Sequence, residues 1–343
     1  MYTPTTMFNG TLEIVGAASA AAAGAQFTNI VLNRSFDPAP IRIDVDSFTP
    51  ATGAVSATVT MYSQTYALSG DAFHFILIED DVSGENTHIT RALASHTITL
   101  AGAGSTAPFS TTFTIDPAWN PAKLRVVAIV QRPDHEIVQA GSSHAHPDFK
   151  VRAMVPFART LIGPSTAAYE TAHLTVMNVG LTDTFTMSVV VDEAPPGWSV
   201  AVTDSVGATH TDPFEFGLAG EASTTFTTVV TPDSAGYVKY HLVVTSPNLT
   251  RPLEIPFVYI TDDIDALLVD DDGGAAYESY FKAAMDSAAV PYGVWDRGAA
   301  PLSAEVAQSF DLLVWNVGLG YPTLDADDKT FLSQYLDAGG SLF

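Results

Sequence analysis

Residues 55–61 read Val55-Ser56-Ala57-Thr58-Val59-Thr60-Met61. Apolar and polar side chains alternate with a period of two. A strand with one face in a core and the other in water needs that pattern. The alternation recurs upstream at Ile41, Ile43 and Val45, and downstream at Phe73, Phe75 and Leu77. Phe109, Phe113 and Ile115 continue it, followed by Leu124-Arg125-Val126-Val127-Ala128-Ile129-Val130. A last run, Glu136-Ile137-Val138-Gln139-Ala140, follows a turn at Arg132-Pro133-Asp134. About seven short strands separated by turn residues predict an antiparallel β-sandwich over 37–147.

A second sandwich is expected over 148–261. Its strands are read at 172–179, 185–191, 198–203, 224–231, 237–245 and 253–260. Asn178-Val179-Gly180, Pro195-Pro196-Gly197-Trp198 and Leu218-Ala219-Gly220 punctuate them. These segments resemble the immunoglobulin-like modules appended to bacterial surface proteins and secreted hydrolases. Such modules are spacers or binding platforms, and the fold by itself implies no chemistry. Trp198 is expected as a core or sandwich-end aromatic.

Residues 1–36 read differently. A short strand leads to Asn9-Gly10, a hairpin turn signal, then to a second strand at 11–15. An Ala-rich helix is expected over 17–33 with Phe27, Ile30 and Val31 on one face. A hairpin and one helix cannot bury a core alone, so more chain is expected before them. Pro4-Thr5, Asn9-Gly10, Val15-Gly16 and the helix resemble the second half of a thioredoxin-like domain. That resemblance implies a cis bond at Pro4, beside a dithiol that would lie outside this segment. The alternative is an ordinary hairpin and helix.

Together with Phe113-Thr114-Ile115-Asp116-Pro117-Ala118-Trp119-Asn120-Pro121 and Ile137-Val138-Gln139-Ala140, residues 1–142 resemble the Omp-twenty-eight-related bacterial outer membrane proteins. The resemblance implies an exported protein of the cell surface or outer membrane. It supplies a location more than a mechanism.

After Asp262 the period changes again. Ala266-Leu267-Leu268-Val269 is a continuous apolar run, as in a strand buried on both faces. A helix follows with Tyr277, Tyr280, Phe281, Ala284, Met285 and Ala288 on one stripe. Strands are read at 290–294 and 312–315. A helix after Thr323 carries Asp325, Asp327 and Asp328 in its first turn, where they suit the positive end of its dipole. It is expected to bury Phe331, Leu332, Tyr335 and Leu336 and to stop at Gly339-Gly340. Another strand starts at Ser341. This order predicts a partial doubly wound α/β domain over 262–343. The stretch 267–343 resembles flavodoxin-like or glutamine-amidotransferase-like modules. The amidotransferases use a cysteine nucleophile, and this chain has no cysteine.

The fold class expected is therefore multidomain and mainly β. Two immunoglobulin-like sandwiches are flanked by a partial thioredoxin-like piece and a partial doubly wound domain. Lys and Arg number 14 and Asp and Glu 38, a net charge of −24. That balance opposes nucleic acid or an anionic membrane bound through a basic face. No apolar stretch is long enough for a transmembrane helix. Residues 262–343 hold 15 acidic and 3 basic side chains, half the net charge.

Three acidic or histidine groups invite chemistry. Asp270-Asp271-Asp272 ends the first parallel strand, where open α/β sheets bind ligands. With Asn316 nearby, these carboxylates are the candidate ligand site, for a hard cation such as Ca²⁺. The alternative is a solvated acidic loop. His144-Ala145-His146-Pro147-Asp148 lacks a third placed ligand for Zn²⁺ and reads as a polar linker. Glu79-Asp80-Asp81 reads as exposed loop charge. No Gly-x-Ser-x-Gly, His-Glu-x-x-His or Gly-x-x-x-x-Gly-Lys occurs. The expectation is an exported bacterial envelope or surface protein without a catalytic site in this segment. Its partners would be envelope or extracellular proteins or glycans. The alternative is part of a secreted thiol–disulfide oxidoreductase or hydrolase whose catalytic residues lie elsewhere.

Overall fold

The structure is a computed structural model that describes residues 5–15, 27, 30, 31, 36, 39–82, 88–143, 148–272, 276–297, 302–318, 324 and 326–343. Pro4, His144 and His146 lie outside them. The protein is multidomain and mainly β. It divides into two compact units, 1–16 with 39–146, and 17–38 with 147–343.

The first unit opens with a hairpin of β1 (Thr5–Phe8) and β2 (Leu12–Val15). Asn9 and Gly10 both take positive φ, as the central residues of a type I′ turn do, and the Thr11 N–H closes it on the Phe8 carbonyl at 3.2 Å. Ile137 donates its N–H to the Asn9 carbonyl at 2.9 Å. A Cβ at Gly10 would overlap the His135 carbonyl oxygen, so only glycine lets the turn sit there. Phe27, Ile30 and Val31, which belong to the second unit, are helical, with Val31 exposed.

The sandwich of the first unit comprises β3 (Ile41–Thr49), β4 (Ala54–Met61), β5 (Ala67–Asp80), β6 (His88–Ala101), β7 (Thr106–Thr112), β8 (Leu124–Gln131) and β9 (Ile137–Ser142). One sheet runs β3-β4-β7 and the other β6-β5-β8-β9, with every pair antiparallel. Val55, Ala57, Val59 and Met61 all point into the core, as do Phe73, Phe75 and Leu77. Phe73 stacks on Phe109 with centroids 4.3 Å apart.

Glu79-Asp80-Asp81 is not a loop of exposed charge: Glu79 and Asp80 end β5. Glu79 is buried and accepts from Arg91 Nη2 at 2.6 Å and from the Asn120 N–H at 2.8 Å. The Asn120 N–H, against burial and together with Arg91, holds the Glu79 carboxyl below its usual range. Burial would raise Asp80, but hydrogen bonds from Arg125 and His88 hold it low. Arg91 lies over the Trp119 ring, and Asn120 Oδ1 caps the turn of Pro121–Lys123. Trp119-Asn120-Pro121 is thus a structural clamp on the end of the sandwich. The sequence hides it because the partners lie 12 and 41 residues from Glu79.

The second unit contains β10 (Val151–Met154), β11 (Thr160–Gly163), β12 (Tyr169–Glu170), β13 (Leu174–Asn178), β14 (Asp183–Glu193), β15 (Ser199–Asp204), β16 (Thr209–His210), β17 (Phe214–Leu218), β18 (Ser223–Thr231), β19 (Tyr237–Thr245) and β20 (Leu253–Thr261). One sheet runs β10-β13-β18-β15-β16, with β12 also on β18, and the other β11-β20-β19-β14-β17. Buried Asn178 ties two loops together. Its Nδ2 donates to the carbonyls of Leu181 and Leu218 at 2.7 and 3.1 Å, and its Oδ1 accepts from the Gly180 N–H. That bonding explains the Asn-Val-Gly and Leu-Ala-Gly segments. Trp198 packs at the sandwich end, edge-on to Tyr259, and donates to Ser234 Oγ. His74 and His241 bond at the sheet surface, to Ser95 and Asp192.

The rest of this unit alternates strand and helix: β21 (Ala266–Asp270), α1 (Glu278–Ser287), β22 (Tyr292–Asp296), α2 (Ala304–Ala307), β23 (Leu312–Asn316), α3 (Ala326–Asp337) and β24 (Ser341–Leu342). The sheet is parallel in the order β22-β21-β23-β24. The order second-first-third-fourth, all parallel and with helices between the strands, is that of a doubly wound sheet. Gly339, at φ +97°, ends α3 as its sequence predicts.

Two helix stripes are narrower than expected. On α1 only Phe281 and Met285 pack on the core, and Tyr280 is 73% exposed. On α3 Leu332 and Tyr335 are buried, whereas Leu336 is exposed. Each helix is covered along one line only, and helical period cannot tell how wide that line is. The core of this sheet also includes Tyr237 and Ile260 from the second sandwich. A Cβ at Gly293 of β22 would stand 2.6 Å from Ile260 Cγ2. Lys282 of α1 pairs with Glu193 of β14 at 2.6 Å. The sandwich and the α/β sheet therefore share one continuous interior.

Candidate functional site

In this sheet β21 lies between β22 and β23, so the chain reverses its direction of winding at β21. The crevice outside the carboxyl ends of β21 and β23 is the topological switch point. Asp270 ends β21, in register with Asn316 of β23 and Asp296 of β22. The Asp271 N–H donates to the Asn316 carbonyl at 2.8 Å, fastening the two strand ends.

The three consecutive aspartates part company here. The Asp271 carboxylate accepts from the Trp315 indole N–H at 3.1 Å. Buried Asp272 turns back over the strand ends. Its Oδ2 accepts from Asn316 Nδ2 at 3.2 Å and from the Tyr277 N–H at 3.1 Å. Asn316 Oδ1 accepts from the Gly318 N–H. A Cβ at Gly318 would press on Asp272 Cβ at 2.7 Å, and its φ is +51°, so glycine is required beside the aspartate.

Glu278, in the first turn of α1, completes the cluster. One carboxylate oxygen from each of Asp270, Asp272 and Glu278 lies within 4.8 Å of the others. Asp270 Oδ1 and Glu278 Oε2 are shielded from solvent and have no hydrogen-bond partner among the described residues. Burial, then the charges of Asp272, Glu278 and Asp296, push the Asp270 carboxyl up to about 7. The crevice concentrates negative charge in a low-dielectric setting. With the Asp272 carboxylate on the first N–H of the helix turn, it favours a cation and disfavours phosphate.

Of the residues read from the sequence, Asp270 and Asp272 meet. Asn316 orients Asp272, and Asp271 serves Trp315. Glu278 was not among the candidate ligands, although a helix starting a few residues after an acidic loop brings its first-turn carboxylates back over that loop.

Each sandwich also carries a surface groove. One of about 560 Å³ in the first is bordered by Asp46, Phe48, Lys123 and Arg125. One of about 370 Å³ in the second is bordered by β17 and the β15–β16 hairpin.

No protein-family model matches the sequence, and no curated protein matches it. Solved structures with similarity include the ASH/PapD-like domain of human CEP192, at 13% identity and TM-score 0.22, covering 34% of this chain and 87% of that one. A conjugative transposon lipoprotein from Bacteroides eggerthii matches at 16% identity and TM-score 0.24, covering 34% of this chain and 98% of that one. The CooA pilin subunit of enterotoxigenic Escherichia coli matches at 10% identity and TM-score 0.25, covering 32% and 96%. Likenesses this distant carry no argument about function. The sandwich architecture rests on the strand pairing itself.

Proposed function

We propose that this chain belongs to an exported bacterial envelope or cell-surface protein whose sandwiches serve as spacer or adhesion modules, and that its α/β sheet holds a hard divalent cation, Ca²⁺ foremost. What supports the first part is the use made of polar groups in the sandwiches. Glu79, Asp80, Asn178 and Asp183 are each consumed by bonds that clamp strand ends and loops. The resemblance of residues 1–142 to the Omp-twenty-eight-related proteins points the same way, and with it the thioredoxin-like reading of the N-terminal hairpin. Partners would be envelope or extracellular proteins or glycans. Fractionation of the source cells, with protease applied to intact cells, tests the location. Recovery in the cytoplasmic fraction with full protection overturns it.

The cation reading is carried by the two shielded carboxylate oxygens of Asp270 and Glu278, which have no hydrogen-bond partner among the described residues. Leaving such groups unpaired is costly, and a cation relieves both the desolvation and the mutual repulsion. Asp270, Asp272 and Glu278 supply three hard oxygen donors, with water or carbonyl oxygens completing the shell of six to eight that Ca²⁺ takes. Asn316 holds Asp272 in place. Calorimetric titration of Ca²⁺ into the full chain tests it. Binding that Asp270→Asn and Glu278→Gln each weaken at least tenfold supports the site. No heat at millimolar Ca²⁺, or binding indifferent to both changes, removes it.

A further inference from the structure

β17 is the last strand of its sheet and, among the described residues, pairs with β14 alone. Edge strands are ordinarily protected by brevity, Lys, Pro or a bulge. Elsewhere β7 carries Pro108, β6 pairs through two register shifts and β16 is two residues long, while β11, at the other edge of the same sheet, is four residues long and likewise without Lys or Pro. β17 reads Phe214-Glu215-Phe216-Gly217-Leu218, in regular register and with no Lys or Pro. A Cβ added at Gly217 would meet nothing within 4 Å.

Beside this edge runs the groove of about 370 Å³. Its wall is aromatic. Phe216 and Phe226 meet at 5.1 Å, and His210 stacks on Phe214 at 3.8 Å. Asp204 Oδ2 contacts His210 Nε2 at 3.0 Å and fixes the imidazole. The charge lining the groove is one-sided: its described lining residues include the carboxylates Asp204 and Glu215 and no Lys or Arg.

We propose that the free edge of β17 and the aromatic groove beside it accept an extended, basic peptide strand by β-augmentation. The main chain of the peptide would bond along β17 and its alternate apolar side chains would enter the groove. Its Lys or Arg side chains would face Glu215 and the neighbouring carboxylates, which disfavour acidic strands. This inference depends neither on the cation site nor on the cellular location.

The test uses the full chain and two fluorescein-labelled peptide amides, Lys-Val-Thr-Ile-Lys-Val-Thr-Val and its counterpart with Glu for Lys. Fluorescence anisotropy should show the Lys peptide binding at least tenfold tighter than the Glu peptide. Phe216→Ala should weaken it about tenfold. Glu215 is exposed, so Glu215→Lys is expected to keep the fold, checked by its melting temperature, and should reverse the order of the two peptides. Amides of β17 should gain hydrogen-exchange protection when the Lys peptide is added. Equal binding of both peptides, an order unchanged by Glu215→Lys, or no binding at millimolar peptide overturns the proposal.

Discussion

Asp270 shows how one side chain is set by its surroundings. A free aspartate titrates near 3.9, whereas burial and three neighbouring carboxyls lift this one to about 7. Between those values the folded state holds a proton that the unfolded state has lost. Stability therefore falls as pH rises from about 4 to about 7, and the full cost is present above that window. Asp270→Asn removes this dependence. Melting temperatures followed from pH 5 to pH 8 in chelator should fall more steeply for the wild type than for the variant. Added Ca²⁺ should raise the wild type most at pH 8. Parallel curves for the two proteins would mean that Asp270 titrates normally. Gly318 acts at the same scale, since its missing Cβ makes room for the Asp272 side chain.

Among the elements, the N-terminal hairpin is the clearest case of a turn chosen for what it touches. Asn9-Gly10 suits any type I′ turn, but here Gly10 also lies against the His135 carbonyl. Gly10→Ala should lift the hairpin from the turn preceding β9. Hydrogen exchange of β1 and β2 should then quicken while β5 and β8 stay protected. Unchanged protection in β1 and β2 would show that the docking tolerates a methyl group. Most sandwich strands were legible in the sequence because alternation records which face is buried. β6, β10, β11, β12, β16 and β17 were not. All but β6 are short, or, like Phe-Glu-Phe-Gly-Leu, interrupted by a glycine; β6 runs for 14 residues, but only Ile98 and Leu100 in it are buried. The stripe on α1 was overdrawn because periodicity reports a direction and not the extent of cover.

For the whole molecule, the packing defines two cooperative bodies rather than one per module. All described residues of the first sandwich's core lie in the first unit. The second sandwich and the α/β sheet are continuous through Tyr237, Ile260 and Gly293. Calorimetry of the full chain should show two transitions. Gly293→Val drives methyl groups into Ile260, and overpacking of that kind costs about 1–3 kcal/mol. It should lower only one of the transitions. Three independent transitions, or a uniform shift of both, would contradict the shared interior.

The sequence by itself determined the mainly β class, the change to an α/β pattern after residue 262, and the acidic strand end at Asp270–Asp272. Each depends on local period or on neighbours in the chain, so each survives in one dimension. Only the tertiary structure decided which carboxylates share a crevice. It turned Asp271 to Trp315 and brought Glu278 against Asp270 and Asp272. It also drew Glu79 to Arg91 and Asn120, and joined the second sandwich to the sheet beside it. Those choices depend on side chains far apart in sequence meeting where burial makes an unpaired charge expensive, and no local pattern records such a meeting.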